Sequence, residues 1–408
     1  IRIKYTFPEE VELDSDILYK IDSIVNYAIS EEATPGCQVL ISKDGNVFFN
    51  KSYGYHTYNK KRKVHNSDIY DLASITKIIA TAPILMQMVD DGVFRIDDKL
   101  GSYLDLDSSD KSDLNIRDIL SHQARLAPWI PFYKKTLEED SITGLLSLRD
   151  TLYSDYFSEK YPYKVAENIY LHTEYQDSIR VQIKESELLD KKEYCYSDLG
   201  YYFFKDIIEL KYEKPLDSVL NQQFYRSLGM ENLGYLPLKR IDSTRIIPSE
   251  IDFKFRGQIL KGYVNDQGAA MQGGVGGHAG VFSNANDLAK FMQMYLQKGK
   301  YAGKRYLSEE VIDEFTRCQF CDQENRRGAA FDKPVLEGQE GGPTCYCVSS
   351  LSFGHSGFTG TLAWADPTTN IIYIFLSNRV YPDASNIKLL EMNIRTEIMQ
   401  VIYDSLDE

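Results

Sequence analysis

The sequence predicts a mixed α/β fold of the α+β kind: an antiparallel sheet flanked by helices, joined to a mostly helical lobe. Strand signals near the start of the chain, more near its end, and helical spacing at both termini carry that expectation. Strands from the two ends then share one sheet, with the terminal helices on a face. With 408 residues and 43% hydrophobic content, the chain can bury one large core. We expect a single domain over 1–408, with an α/β lobe from about 1–75 and 251–408 and the helical lobe from about 76–250.

Ile17, Leu18, Ile21, Ile24 and Val25 recur at helical spacing between Ser15 and about Ile29, and Asp14 or Ser15 offers an N-cap. Gln38-Val39-Leu40-Ile41-Ser42 and Val47-Phe48-Phe49-Asn50 flank Lys43-Asp44-Gly45-Asn46, a hairpin signal. Ile69 to Ala73 reads as a short strand or turn that leads into an apolar helix continuing from Ile78 to Val89. From Trp129 to Glu193 the chain turns aromatic and charged; this stretch is either a substrate-facing wall or lid, or a packed surface insertion. Thr361 to Ala365 and Ile371 to Leu376 read as strands, and a helix follows from about Asn386 to Ile402.

A net charge of −14 argues against a nucleic-acid partner, which needs clustered Lys and Arg. The run Lys60-Lys61-Arg62-Lys63 is short and reads as a solvated turn. No apolar stretch approaches the roughly 18 residues needed to span a bilayer, so no membrane span is expected. The chain starts at Ile1 without methionine or an apolar leader and reads as a processed or excised fragment.

Three short signals carry chemistry. In Ser74-Ile75-Thr76-Lys77, a lysine three positions after a serine lies one helical turn away on the same face, where it can act as the base that a weak hydroxyl nucleophile needs. A lysine serves so only if its ammonium is destabilised by burial or by cations, and a second proton carrier helps. Tyr196, in Tyr196-Ser197-Asp198, is the candidate carrier. Gly354-His355-Ser356-Gly357-Phe358-Thr359-Gly360 reads as a strand edge with glycines where substrate approaches backbone. Its amides can stabilise an oxyanion, while His355 and Ser356 can bind or protonate substrate. Each signal alone is weak; their order points to one acyl-transfer site.

With these motifs the chain resembles the serine β-lactamase-like and penicillin-binding superfamily, especially its class C β-lactamase, D-peptidase and esterase branch. Ile119-Leu120-Ser121-His122-Gln123, Gly280-Val281-Phe282-Ser283 leading into Asn286-Asp287-Leu288-Ala289-Lys290-Phe291, and Leu376-Ser377-Asn378-Arg379 extend the resemblance over nearly the whole chain. Val264-Asn265-Asp266-Gln267-Gly268-Ala269-Ala270-Met271 and Gly276-Gly277-His278-Ala279-Gly280 look closest to modules fused behind glycoside hydrolase family 3 domains in Bacteroidetes. The resemblance implies a β-lactamase/transpeptidase-like fold with Ser74 as nucleophile, Lys77 as base, Tyr196 as proton shuttle, and the amides of Ser74 and Phe358 as oxyanion donors. It also implies a small-molecule or peptidoglycan-derived substrate, no cofactor for catalysis, and a periplasmic or secreted protein.

Two positions depart from the commonest family pattern. His355 stands where β-lactamases carry lysine, a variant of esterase and D-aminopeptidase relatives, and Asp198 stands where an asparagine is usual. An acceptor-only carboxylate replaces an amide donor and, if it lies near Lys77, favours the charged ammonium, which puts efficient β-lactam hydrolysis in doubt. No glutamate loop of the class A type is present, so Tyr196 or Lys77 would have to activate a deacylating water.

Gly273-Gly274-Val275-Gly276-Gly277-His278 lacks the Gly-Lys-Ser/Thr ending of a phosphate loop and reads as a tight loop. His278 is open between a structural hydrogen bond and the pocket rim, while His122 reads as structural. Cys318, Cys321, Cys345 and Cys347 form two close pairs; a structural zinc site is the first expectation, and disulfides, with bonds across the two pairs as one arrangement, are the second. Two functions stay open: a serine hydrolase acting on an ester, amide or lactam carbonyl, and a cell-wall or β-lactam binding module acylated or occupied without efficient turnover.

Overall fold

The computed structural model describes residues 1–406 apart from 140 and 143. Its main sheet has six strands: β1 (Lys4–Tyr5), β2 (Gly36–Lys43), β3 (Asn46–Gly54), β4 (Phe353–Ser356), β5 (Leu362–Asp366) and β6 (Ile371–Ser377). Their spatial order is β1-β3-β2-β6-β5-β4, and all pairs are antiparallel except β1 with β3. The two ends of the chain therefore meet at β2 and β6, with Leu40 opposite Ile374. Asp44 (φ 53°) and Gly45 (φ 78°) close the β2–β3 hairpin as both positive-φ positions of its two-residue turn.

β6 is buried along its whole length, which explains why it reads as an unbroken apolar run. Alternate residues serve opposite faces. Ile371, Tyr373 and Phe375 pack with Ile21 and Val25 of α1 (Ser15–Ser30) and with a C-terminal helix. Ile372, Ile374 and Leu376 face the larger core, which continues without a break into the residues around Ser74. Asp14 caps α1, its Oδ1 accepting from the Asp16 amide at 2.7 Å.

The helix expected from about Asn386 is divided at Asn393, whose φ of 52° breaks the hydrogen-bond ladder between Lys388–Glu391 and Ile394–Asp404. Within the aromatic stretch, Tyr153–Ser154, Tyr163–Ala166 and Ile169–Leu171 form a small three-stranded sheet. Tyr153 and Tyr175 are buried there, whereas Tyr156 and Phe157 are exposed. No helix among the described residues is long and apolar enough to cross a membrane.

Candidate active site

A strained turn presents Ser74. Tyr70–Asp71 pairs with Phe282–Ser283, and the buried Asp71 carboxylate then accepts from the Ala73 amide at 2.9 Å and the Asn265 amide at 2.6 Å. Ala73 is held at φ 47°, a left-handed conformation costing a non-glycine residue on the order of 1 kcal/mol or more. A 3-10 turn over Ala73–Ile75 and a π turn over Lys77–Thr81 follow, before a regular α-helix begins at Ala82. This irregular start sets Lys77 Nζ 3.0 Å from Ser74 Oγ.

The surroundings of Lys77 decide its charge. The side chain is wholly buried, which alone would favour the neutral amine. Asp198 Oδ1 at 2.6 Å outweighs that cost, and the pKa of Lys77 is raised. Nζ also reaches the His278 carbonyl at 3.4 Å and lies 5.0 and 5.2 Å from the rings of Tyr196 and Tyr201. Lys77 thus rests as an ammonium that donates to Ser74. Burial likewise pushes the Tyr196 phenol up, against the pull of Lys77, and its hydroxyl lies close enough to Lys77 and Ser74 to interact with both. It makes no well-aligned hydrogen bond among the described residues, which leaves it able to turn to a substrate atom.

Sequence gave no signal for Arg327, yet this buried guanidinium organises the far wall. Its Nη2 donates to Tyr194 Oη at 2.9 Å, its Cζ lies 5.3 Å from the Tyr196 ring, and Nη1 faces His355 Nε2 at 3.4 Å. Burial, then Arg327 and Lys77, bring the His355 pKa down to about 3, so the imidazole is neutral. Its Nδ1 is 2.6 Å from the Ser356 carbonyl oxygen and must carry the proton, which leaves Nε2 an acceptor turned to Arg327. In this state His355 braces the wall and has no proton to give to substrate at Nε2. His122 accepts the Ser197 amide at 3.1 Å through Nδ1 and packs 4.3 Å from Tyr196, a positioning role.

Gly357 closes the strand edge onto the nucleophile turn: a Cβ there would collide with Thr361 Oγ1 and the Leu72 carbonyl. Phe358 follows, half-exposed at the mouth, and its amide makes no hydrogen bond to another described residue, as an oxyanion donor requires. Ser356 does not line the cavity of about 470 Å³ that opens on Ser74. Ser74, Tyr196, Asp198 and Phe358 do, joined by Trp129, Tyr133, Glu250, Asn265, Asp266 and His278. His278 is both a structural bonder and a rim residue: Nε2 sits 2.7 Å from Asp266 Oδ1 while the residue lines the cavity.

The zinc expectation is corrected. Cys318 is bonded to Cys321 and Cys345 to Cys347, with Cα separations of 5.9 and 5.3 Å, so each close pair is spent within itself and neither disulfide crosses between pairs. Among the described residues no group of three or more His, Cys, Asp or Glu is placed to hold a metal ion.

The Beta-lactamase family profile matches residues 21–392. The chain is 27% identical over 399 residues to an N-acetylmuramyl-L-alanine amidase of Bacillus subtilis, covering 91% of this chain and 83% of that protein. It is 27% identical over 409 residues to a putative D-alanyl-D-alanine carboxypeptidase of Salmonella typhimurium, covering 94% and 87%. A penicillin-binding protein homolog from Caulobacter crescentus shares the fold, with a TM-score of 0.68 at 15% identity over 97% of this chain and 99% of that one.

Proposed function

The chain belongs to the β-lactamase family and is a serine hydrolase that works through an acyl-enzyme; we propose that Ser74 is its nucleophile and that it acts on an amide or ester of a peptidoglycan-derived or other small molecule. The observation that carries the assignment is Ser74 Oγ at 3.0 Å from the buried Lys77 Nζ. Lys77 already holds its full complement of protons, so it accepts the Ser74 proton only as it passes one to Asp198. The freed oxygen attacks the carbonyl carbon, and the Ser74 and Phe358 amides take the negative charge on the carbonyl oxygen. Tyr196, protonated and beside both Ser74 and Lys77, gives its proton to the leaving group and recovers one from Lys77. Water then resolves the acyl-enzyme.

The names of the relatives, an amidase and a carboxypeptidase of cell-wall peptides, favour peptidoglycan fragments as substrates. Two disulfides favour an oxidising compartment, hence a periplasmic or secreted enzyme. A neighbouring glycoside hydrolase family 3 domain and a Bacteroidetes source rest on the wording around Asn265 and His278 alone. Incubation with p-nitrophenyl acetate, nitrocefin and a D-alanyl peptide, followed by intact mass, tests the reading. Turnover of any of the three is expected; a persistent adduct without turnover would favour the binding module.

A further inference from the structure

The charged lining of the Ser74 cavity is one-sided: Asp198, Glu250, Asp252, Asp266 and Asp383 face a single lysine, Lys254. Most of these carboxylates are occupied. Asp198 holds Lys77, Asp252 holds Arg256 at 2.6 Å, Asp266 holds His278 at 2.7 Å, and Asp383 accepts the Ser385 amide at 2.7 Å. Glu250 differs. It is 8% exposed and forms no ion pair among the described residues, and burial pushes its pKa up. A buried carboxyl with no cation in contact is costly to ionise; Arg256 offsets part of that cost from a distance, and a cation delivered by a ligand would remove the rest.

A second observation sits beside it. Asn265 is 5% exposed and lines the same cavity. Its amide is near enough to favour the charged form of Glu250, yet Nδ2 has no aligned acceptor among the described residues. Its backbone is fixed, with the amide on Asp71 at 2.6 Å and the carbonyl accepting from Arg256 Nη2 at 2.7 Å. Since Asp71 also fixes the Ala73 amide, Asn265 is tied to the turn that presents Ser74. A buried donor without an aligned acceptor is costly, and a substrate carbonyl would recover that cost. Around the mouth, Trp129, Phe253 and Phe358 are 44%, 77% and 55% exposed, an aromatic rim able to hold an apolar side chain or a cation over its faces.

We infer that this cleft selects substrates whose acyl part carries a free ammonium, with Glu250 receiving the ammonium and Asn265 Nδ2 donating to a neighbouring carbonyl. The inference rests on the reading of Ser74 as nucleophile and narrows its substrate class to amino-acyl amides and esters, against acyl groups bearing a carboxylate.

The test compares kcat/KM for phenylalanine p-nitroanilide with that for its N-acetyl derivative, in both enantiomers, with p-nitrophenyl acetate as a separate gauge of acyl-enzyme chemistry. The wild type is expected to favour the free amine by at least about tenfold in one enantiomer. Glu250→Gln should reduce that preference at least about fivefold, and Glu250→Asp should retain most of it. Equal rates on the two anilides, or a preference unchanged in Glu250→Gln, would overturn the inference; if p-nitrophenyl acetate is still hydrolysed, the nucleophile assignment survives that failure. No turnover of any of these compounds would remove both.

Discussion

Asp198 is the residue that most alters how this site works. A neutral amide there would leave Lys77 easier to discharge; the carboxylate at 2.6 Å keeps it an ammonium and, in the proposed mechanism, is the sink for its proton. Its own charge is largely offset by the Lys77 ammonium, so what the aspartate withholds from substrate is the donor that an amide would offer. Asp198→Asn should therefore raise β-lactam acylation relative to ester hydrolysis, measured as the ratio of nitrocefin to p-nitrophenyl acetate rates; an unchanged ratio would show that the aspartate does not set specificity. Lys77→Ala and Tyr196→Phe should each lower turnover by about two orders of magnitude or more, and the double variant should lose little beyond the worse single one, because the groups act as one unit. Fully additive losses in kcat would mean independent roles. That Ser74, Lys77, Tyr196 and Asp198 come together in space was legible because each sits in a short motif of fixed spacing. Arg327 was not, nor were the roles proposed for Glu250 and Asn265: these residues are singled out by their burial and by what surrounds them in space, which no spacing encodes.

At the scale of elements, the loop that follows Cys318 connects a disulfide to the catalytic wall. The Gln319 amide donates to the Arg327 carbonyl at 2.9 Å, and Asn325 Nδ2 donates to the Ser121 carbonyl at 2.9 Å, next to His122. The Cys318–Cys321 bond closes the turn from which Asn325 and Arg327 reach inward. Protein purified without chelator should contain no stoichiometric zinc, and its intact mass should rise by about one hydrogen per bonded sulfur on reduction under denaturing conditions. One zinc per chain with no mass change would restore the metal site. The sequence reading failed here because two close cysteine pairs look alike whether they share a metal or each close on themselves. It succeeded for the β2–β3 hairpin, where Asp44 and Gly45 specify the turn chemically.

For the whole molecule, joining the chain ends in one sheet was legible from the apolar strands at both ends, since a strand buried on both faces needs neighbours on each side. The short strands at 153–171 were hidden because their tyrosines suit an exposed insertion as well as a small sheet. Stability should carry the mark of the buried imidazoles. Burial and nearby cations hold His355 down at about 3 and His122 well below its ordinary 6.5, so between pH 6.5 and about 3 the unfolded chain binds protons that the fold refuses. Stability then falls on acidification through that window, by up to a few kcal/mol per group. Urea unfolding across this range should show a shallower pH slope for His355→Gln than for the wild type; equal slopes would mean that His355 titrates normally in the fold. The central claim, that Ser74 is the acylated nucleophile, is tested most directly by intact-mass and peptide mapping after a fluorophosphonate probe. We expect one adduct, located on Ser74 and absent in a folded Ser74→Ala variant; labelling of that variant at the wild-type rate would contradict the account.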